Sequence, residues 1–560
     1  MVPTSTTKTT TKAITLSEVQ AHCTRKEFWT VVDGTVYDLS SYVDQHPGGP
    51  MIMNAAGADA SVLFHTYHIR DPVKAKAVLD KFRIGPLERC KQQEQQQTVE
   101  MGDFYRDCAQ RVREALKDTP RHPTMAKVYF FLDAMIMFSM AMLGIYIGYN
   151  TMTATMTATA TTSTTQPTTI PLWLLVFAHL LAPFHVRCMG QAHANGHAQI
   201  FDSRRAQKWA EWLEFVLGYA GIGFGLTSDQ QNERKLLLQP RSISQYEFTN
   251  GRGFGEHAAI HHVKGTDLDH DECHDLIRAK FLFRTTDDQT YLSFLHAWQT
   301  TFWYQCVVDA IGEAIICGKF LQFPEHIHYV VVHLIPQKQY GRAVAILCGL
   351  VPCIGYFWCY FGLLLSTINY HDQQPFDAQV LLLFVVLVVM KEYIGYLPGQ
   401  IFFAQHVWDQ STPEEVSNTD WGRYNAVTSY SFWPDYNRKT KKQKNKTNDK
   451  PSTATTTTTA TSPGWDMLLQ PVIWGWPVSG SLGVGACSGT LSYHLEHTLF
   501  PGINYLYLPQ IAPIVRQCCH DDKIAYHCLE STAQVIQARQ DLLNHHNRPQ
   551  SQQPSSKKQL

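Results

Sequence analysis

The chain lacks any excess of positive charge: its 560 residues include 47 Lys and Arg against 48 Asp and Glu, a net charge of −1. A nucleic-acid partner would require a basic face, so we expect no such partner. The 14 cysteines include no CxxC pair and no spacing typical of a disulfide framework, which indicates a reducing compartment. Met1–Lys12 contains no apolar run, so we expect no signal peptide.

Histidine, by contrast, is abundant. The chain has 26 histidines, and seven of them fall in three clusters. Residues four apart lie on one face of a helix, so the first two clusters can each direct two imidazoles at one point. Imidazole binds iron, copper and zinc alike, so the pattern predicts a site for two metal ions held side by side without identifying the metal. The clusters are His193-Ala-Asn-Gly-His197, His257-Ala-Ala-Ile-His261-His262 and His494-Leu-Glu-His497-Thr498.

Four apolar stretches predict a membrane domain, since a span needs about 20 mostly apolar residues. If the N-terminal region faces the cytosol, two pairs of spans return all three histidine clusters to that side. His406 follows the fourth span on the same side; it is a further candidate ligand, with an ordinary interfacial histidine as the alternative. The predicted spans are 128–149, 170–186, 343–366 and 378–403.

Residues 14–90 predict a compact α+β domain. Phe28–Val32 and Thr35–Leu39 have the composition of two strands, and the Asp33-Gly34 pair between them is typical of a tight hairpin turn. His46-Pro47-Gly48-Gly49 comes next, and a predicted helix follows it.

This domain resembles the cytochrome b5 haem domain. The resemblance implies that His46 binds one face of haem b and that His68 supplies the second axial ligand, with His65 as the alternative. Two imidazoles leave no open position on the haem iron, so such a domain carries single electrons.

A haem domain joined to a polyhistidine membrane domain resembles the cytochrome b5-fusion membrane fatty-acyl desaturases, the front-end group that also includes sphingolipid desaturases. Further matches are Asp420-Trp421, Leu499-Phe500-Pro501 and the segment 508–515. The resemblance implies a di-iron centre that uses O2 and electrons from the haem domain to remove two hydrogens from an acyl chain. Its implied ligands are His193, His197, His257, His261, His262, His494 and His497, together with the candidate His406.

Three positions depart from the family's pattern. Ala194 stands where the first cluster usually has Asp, and His494 stands where front-end enzymes usually have Gln. Thr498 replaces the second member of a His-His pair. The position that Thr498 vacates is then empty, filled by water, or supplied by a rearrangement around His494 and His406. Glu496 and Asp269 are carboxylates that can orient the imidazoles.

The predicted architecture is an N-terminal α+β cytochrome b5-like haem domain followed by an all-α integral membrane desaturase domain, with about four transmembrane helices and a cytosolic di-iron cap. The predicted segments are a disordered N-terminus (1–13), the haem domain (14–90), a linker and pre-membrane segment (91–124), the desaturase domain (125–545) with a disordered Lys- and Thr-rich insertion (437–463), and a disordered tail (546–560).

The resemblance implies an oxygen-dependent acyl-lipid desaturase of the endoplasmic reticulum membrane, with its haem domain and histidine clusters facing the cytosol. The expected substrate is a polyunsaturated acyl chain carried as acyl-CoA or in a phospholipid. The expected electron donor is NADH-cytochrome b5 reductase. The alternatives are a sphingoid-base desaturase, a related di-iron hydroxylase, and a membrane-anchored b5-type electron carrier with a degenerate iron site.

Overall fold

The computed structural model describes the N-terminal third of the chain most completely. Its continuous described ranges are 13–88, 101–135, 420–432 and 493–529, and it also describes residue 538 and parts of 138–146, 191–213, 262–264 and 327–348. The first 12 residues, the insertion 437–463 and the tail 546–560, all predicted to be disordered, lie outside the described residues.

A three-stranded antiparallel sheet forms the centre of the N-terminal domain, with β1 (Trp29–Val32), β2 (Thr35–Asp38) and β3 (Arg83–Pro86) in that order. Val32 pairs with Thr35, so the β1–β2 connection is a two-residue turn. Asp33 and Gly34 both have positive φ, 50° and 69°, as a type I′ turn requires. The hairpin predicted at Asp33-Gly34 is therefore confirmed.

Short helices surround this sheet. The first helix begins with a capping box, in which the Thr15 hydroxyl accepts from the Glu18 amide and the Glu18 carboxylate accepts from the Thr15 amide. The α-helices are α1 (Leu16–Ala21), α2 (Ser61–Tyr67) and α3 (Pro72–Leu79), and the 3-10 helices are Val43–Gln45, Gly49–Ala55 and Asp80–Phe82.

The two faces of the sheet bury different residues, because successive side chains along a strand point to opposite sides. Val31 and Val36 pack with Val19 of α1 on one face. Val32 and Tyr37 belong to the larger core on the other face. The remaining buried members of that core are Phe28, Leu39, Val43, Met53, Ala56 and Leu79.

A second core lies beyond the domain and is built around α4 (Gly102–Ala115). This helix falls in the segment 91–124, which the sequence predicts to be a linker and pre-membrane segment. Val62 and Ile69 of the N-terminal domain belong to the same hydrophobic cluster as α4, so the domain packs directly against this core. Buried residues of α4 in the cluster are Phe104, Tyr105, Cys108, Ala109 and Val112.

The other described elements lie in the segments 262–264, 330–334, 421–432 and 494–529. A two-stranded parallel pairing joins Ser431 to Cys528 and Phe432 to Leu529. The elements are α5 (His262–Lys264), α6 (Trp421–Thr428), α7 (His494–Leu499), α8 (Leu508–Asp521), β4 (Ser431–Phe432), β5 (Cys528–Leu529), the 3-10 helix Tyr505–Tyr507 and the π-helix Val330–Leu334.

Among the residues that the structure describes, no helix combines the length and the apolar character needed to cross a membrane. The predicted spans 170–186 and 378–403 lie outside the described residues, and 128–149 and 343–366 are described only in part.

Candidate metal centre and haem site

His46 and His68 face each other in the N-terminal domain. His46 ends the 3-10 helix Val43–Gln45, and His68 ends α2. Their ring centroids are 6.1 Å apart, with the ring planes at 70°. Two imidazole nitrogens on opposite sides of a metal, each about 2.0 Å from it, are about 4 Å apart, which places the ring centroids roughly 6 Å apart. The observed spacing therefore fits a haem iron held between the two rings.

The surroundings of both rings favour that arrangement. His68 Nδ1 lies 2.8 Å from the carbonyl oxygen of Phe64, which can only accept, so Nδ1 carries the proton and Nε2 remains for a metal. Burial of the imidazole lowers the pKa of His68, which favours the neutral form that binds metals. A Cβ on Gly48 would lie 2.9 Å from Cε1 of His46, so any larger residue would displace that ring.

His65 occupies a different position. Its Nε2 lies 3.0 Å from Oδ1 of Asp33, in a contact near the protein surface. The hydrogen bond from His65 lowers the pKa of Asp33. Of the two histidines that the sequence offers as the second ligand, the structure places His68, not His65, opposite His46.

Four histidines from three distant segments meet at one point in the second core. Their candidate ligand atoms all lie within 4.8 Å of one another. The Nε2 atoms of His193 and His197 are 3.3 Å apart, close to the roughly 3.4 Å between ligand atoms at tetrahedral positions with metal–nitrogen bonds of about 2.1 Å. A set of four imidazoles fits a divalent transition metal. The four are His193, His197, His262 and His497, of which only His193 is partly exposed.

The other predicted ligands are not part of this set. His257, His261 and His406 lie outside the described residues. His494 is buried on α7, but it does not belong to the group of four. Thr498 is also buried, and its hydroxyl makes no hydrogen bond among the described residues.

Buried amide side chains connect the first and third histidine segments. Gln199 Nε2 donates to the carbonyl oxygen of Pro501 at 2.7 Å, and its Oε1 accepts from the amide of Tyr505 at 3.1 Å. Asn504 Nδ2 donates to the Gln199 carbonyl at 2.7 Å, and Gln191 Nε2 donates to the Tyr505 hydroxyl at 3.0 Å. Nothing in the spacing of these glutamines distinguishes them from surface residues, so the sequence alone does not indicate their role.

A tryptophan connects the second histidine segment to the same core. The indole of Trp421, which is 2% exposed, donates to the carbonyl oxygen of Val263 at 3.0 Å. Val263 directly follows His262, so this bond sets the position of that candidate ligand. Asp420 caps the N-terminus of α6 by accepting from the Arg423 amide at 2.9 Å. The Asp420-Trp421 pair, noticed in the sequence only as a family match, thus has a structural role beside the centre.

Glu496, which lies between His494 and His497 in the sequence, is fully buried. Its carboxylate accepts from the Tyr526 hydroxyl at 2.7 Å and from the Ser431 hydroxyl at 3.2 Å. Burial raises the pKa of this carboxyl group. None of its described hydrogen bonds is to an imidazole; they connect α7 to β4 and to Tyr526, shortly before β5.

Comparison with known proteins gives the N-terminal domain a family. Residues 15–88 match the profile of the cytochrome b5-like heme/steroid binding domain, and this range contains both His46 and His68. The N-terminal part of this chain is a cytochrome b5-like domain. No solved structure matches the chain.

Curated relatives extend the comparison. The chain is 35% identical over 128 residues to Delta(5) fatty acid desaturase A of Dictyostelium discoideum, which is 23% of this chain and 27% of that protein. It is 41% identical over 78 residues to an acyl-lipid (8-3)-desaturase of Physcomitrium patens, 14% of this chain and 16% of that protein. It is 40% identical over 86 residues to cytochrome b5 of Candida tropicalis, 15% of this chain and 65% of that protein.

The Dictyostelium match spans about a quarter of that relative's length, so it covers only a part of either protein. Even so, the match of 128 residues is longer than the range 15–88, so it includes residues outside the cytochrome b5-like domain. The resemblance to the cytochrome b5-fused fatty-acid desaturases is confirmed by these matches.

Proposed function

We propose that this chain is a membrane-bound acyl-lipid desaturase that introduces a double bond into a fatty-acyl chain, using O2 and electrons delivered through its cytochrome b5-like domain. The observation that carries the proposal is the group of four histidines from three segments packed beside that domain. The names of the relatives from Dictyostelium and Physcomitrium support the choice of substrate class.

In this proposal the cytochrome b5-like domain binds haem b through His46 and His68. Two iron ions would be held by His193, His197, His262 and His497 together with four further histidines. His494 lies buried on α7 outside the group of four, and His257, His261 and His406 lie outside the described residues. When bound, the irons supply the O2-activating chemistry that no side chain can provide for an unactivated methylene pair. The reaction consumes one O2, two electrons and two protons, and it yields the double bond and two waters.

The protein's own groups hold, orient and shield the centre. Burial of His197, His262 and His497 keeps bulk water from the metal-binding nitrogens. Gln199 and Trp421 fix the relative positions of the three segments. His46 and His68 would both bind the haem iron and leave no open position for O2, so a bound haem would supply single-electron transfer from NADH-cytochrome b5 reductase.

Exposed apolar side chains support a membrane location. In the described part of the first predicted span they recur every three or four residues, which places them along one face of a helix. Each is at least 40% exposed, and apolar surface of this kind is typical of contact with lipid or another protein. We propose the endoplasmic reticulum membrane, with the haem domain and histidine segments on the cytosolic side. The residues are Val128, Phe131, Met135, Phe138, Met142 and Tyr146.

Lipid analysis tests the function. The chain is expressed in yeast with and without added polyunsaturated fatty acids, and acyl chains and sphingoid bases are separated by gas chromatography. We expect a new polyunsaturated acyl product, absent from cells that express His497→Ala. A new sphingoid product would mean that the substrate is a sphingoid base and not an acyl chain. A hydroxylated product would mean that the reaction is hydroxylation and not desaturation. No product from any substrate, despite a reducible haem spectrum, would favour a b5-type electron carrier.

A further inference from the structure

A tyrosine of the cytochrome b5-like domain reaches into the histidine cluster. Tyr67, the last residue of α2, places its hydroxyl oxygen 2.5 Å from Nδ1 of His197. The other ring nitrogen of His197, Nε2, lies 3.3 Å from Nε2 of His193. His197 therefore faces the metal cluster with one nitrogen and the cytochrome b5-like domain with the other.

The chemistry of the two groups sets the direction of this hydrogen bond. If Nε2 of His197 binds a metal, the neutral imidazole carries its proton on Nδ1 and donates it to the phenol oxygen of Tyr67. A phenol oxygen can accept a hydrogen bond as well as donate one, so Tyr67 can be the acceptor here. Metal-binding histidines are commonly oriented by an acceptor of this kind.

Backbone contacts hold Tyr67 in place. A Cβ on Gly502 would lie 3.0 Å from the carbonyl oxygen of Tyr67 and 3.1 Å from its Cα, so glycine permits the close approach of the two chains. The Tyr105 hydroxyl of α4 donates to the His65 carbonyl at 3.1 Å. Arg70 donates to the carbonyl oxygen of Leu116 at 2.7 Å. The end of α2 is thus docked on the second core by several independent contacts.

We propose that Tyr67 is a positioning residue that joins the two redox centres by orienting His197 and by linking it to the neighbouring haem ligand His68. The path for an electron from haem to metal would then run from the His68 side chain across the peptide bond to Tyr67. From the Tyr67 hydroxyl it would cross one hydrogen bond to His197. With both groups bound, ferrous haem would give up one electron and become ferric, the metal centre would accept that electron, and the phenol would keep its proton. This inference rests on the proposed function of the two centres.

The experiment compares Tyr67→Phe with Tyr105→Phe in the purified full-length protein. Both changes remove one hydroxyl at the same interface and keep the ring, but only Tyr67 contacts a candidate metal ligand. The haem is reduced under anaerobic conditions, the protein is mixed with O2 and substrate, and reoxidation of the haem is followed at the Soret band. Separately, the metal site is loaded with Co2+ in place of iron, and its visible absorption spectrum is recorded.

We expect Tyr67→Phe to leave the Soret spectrum and reduction by the reductase unchanged. Haem reoxidation should slow by roughly tenfold or more, the range expected when the partner of a metal-binding histidine is removed. The Co2+ spectrum should shift, or Co2+ should bind more weakly. Tyr105→Phe should resemble the parent protein in both measurements.

Parent-like reoxidation and an unchanged Co2+ spectrum in Tyr67→Phe would overturn the inference. Equal decreases in the reoxidation rate of Tyr67→Phe and Tyr105→Phe would also overturn it, because they would indicate a general effect on packing at the interface. If the parent protein forms no unsaturated lipid but Tyr67→Phe alone shifts the Co2+ spectrum, the link stands and the desaturase proposal fails. A parent protein that binds no Co2+ would overturn both.

Discussion

The two candidate redox sites of this chain are built in opposite ways. His46 and His68 lie in one short stretch of a domain that matches a known family over residues 15–88. The four histidines of the metal centre come from three segments between positions 193 and 497. The first site is formed by local turns and helices, whereas the second exists only where distant parts of the chain meet.

That difference has an energetic consequence. Bringing distant segments together has a loop-closure cost that grows with the length of the intervening chain. Buried hydrogen bonds such as those of Gln199 and Trp421, and the binding of metal itself, offset this cost. The metal centre should therefore be more sensitive than the haem site to loss of a ligand or of a supporting polar group.

The largest effects should come from the metal ligands. His197→Ala and His497→Ala should each abolish product formation and lower bound iron, because each removes one of four clustered imidazoles. The Soret spectrum should not change, since both candidate haem ligands lie in the other domain. Metal analysis and absorption spectra of purified variants check this, with His520→Ala as the control, since that imidazole is exposed. Normal iron in both variants would refute the assignment.

Substitution of the candidate haem ligands should affect the haem site and leave the metal centre intact. His46→Ala and His68→Ala should each eliminate the low-spin haem spectrum and stop product formation, because electrons no longer arrive. The metal content should stay close to that of the parent protein. Absorption spectra and iron analysis after haem extraction measure the two sites independently. If both sites were lost together, the two regions would not be separable in the way the structure indicates.

A supporting polar residue should have a smaller effect that is confined to the metal centre. Gln199→Ala leaves the Pro501 carbonyl and the Tyr505 amide buried without their partner, which should cost about 1–3 kcal/mol. We expect weaker iron retention during dialysis against a chelator and an unchanged Soret band. Gln510→Ala is the matched control, because its hydrogen bond to the Ala115 carbonyl lies at the surface. Equal iron loss in both variants would contradict the prediction.

The smallest effect should be that of His65→Ala. The variant should keep its low-spin spectrum and lose less than about 1 kcal/mol of stability, because the pair with Asp33 is near the surface. The hydrogen bond lowers the pKa of Asp33 in the fold, so its contribution is complete above the ordinary value of 3.8 and is lost as the pH falls through the folded pKa.

Thermal loss of the Soret band at pH 5 and 3.5 measures this effect. The difference from the parent protein should be smaller at pH 3.5 than at pH 5. Loss of the low-spin spectrum in His65→Ala, with retention in His68→Ala, would reverse the assignment of the second axial ligand.

Local sequence by itself determined the parts of this protein that depend on neighbouring residues. The Asp33-Gly34 turn follows from backbone conformations that this pair adopts readily, and the helical spacing of His193 and His197 brings their imidazoles together. The family resemblance likewise indicated His46 and His68, because both candidate ligands lie within one compact domain.

Only the tertiary structure decided which distant residues support these ligands. It packs α4 into a core where the sequence predicts a linker, and it pairs Gln199 with Pro501 and Tyr67 with His197. No local pattern specifies such contacts, because each depends on the mutual fit of surfaces that are far apart along the chain. Polar residues like Gln199 look like ordinary surface residues until the fold buries them, and burial then makes their hydrogen bonds necessary.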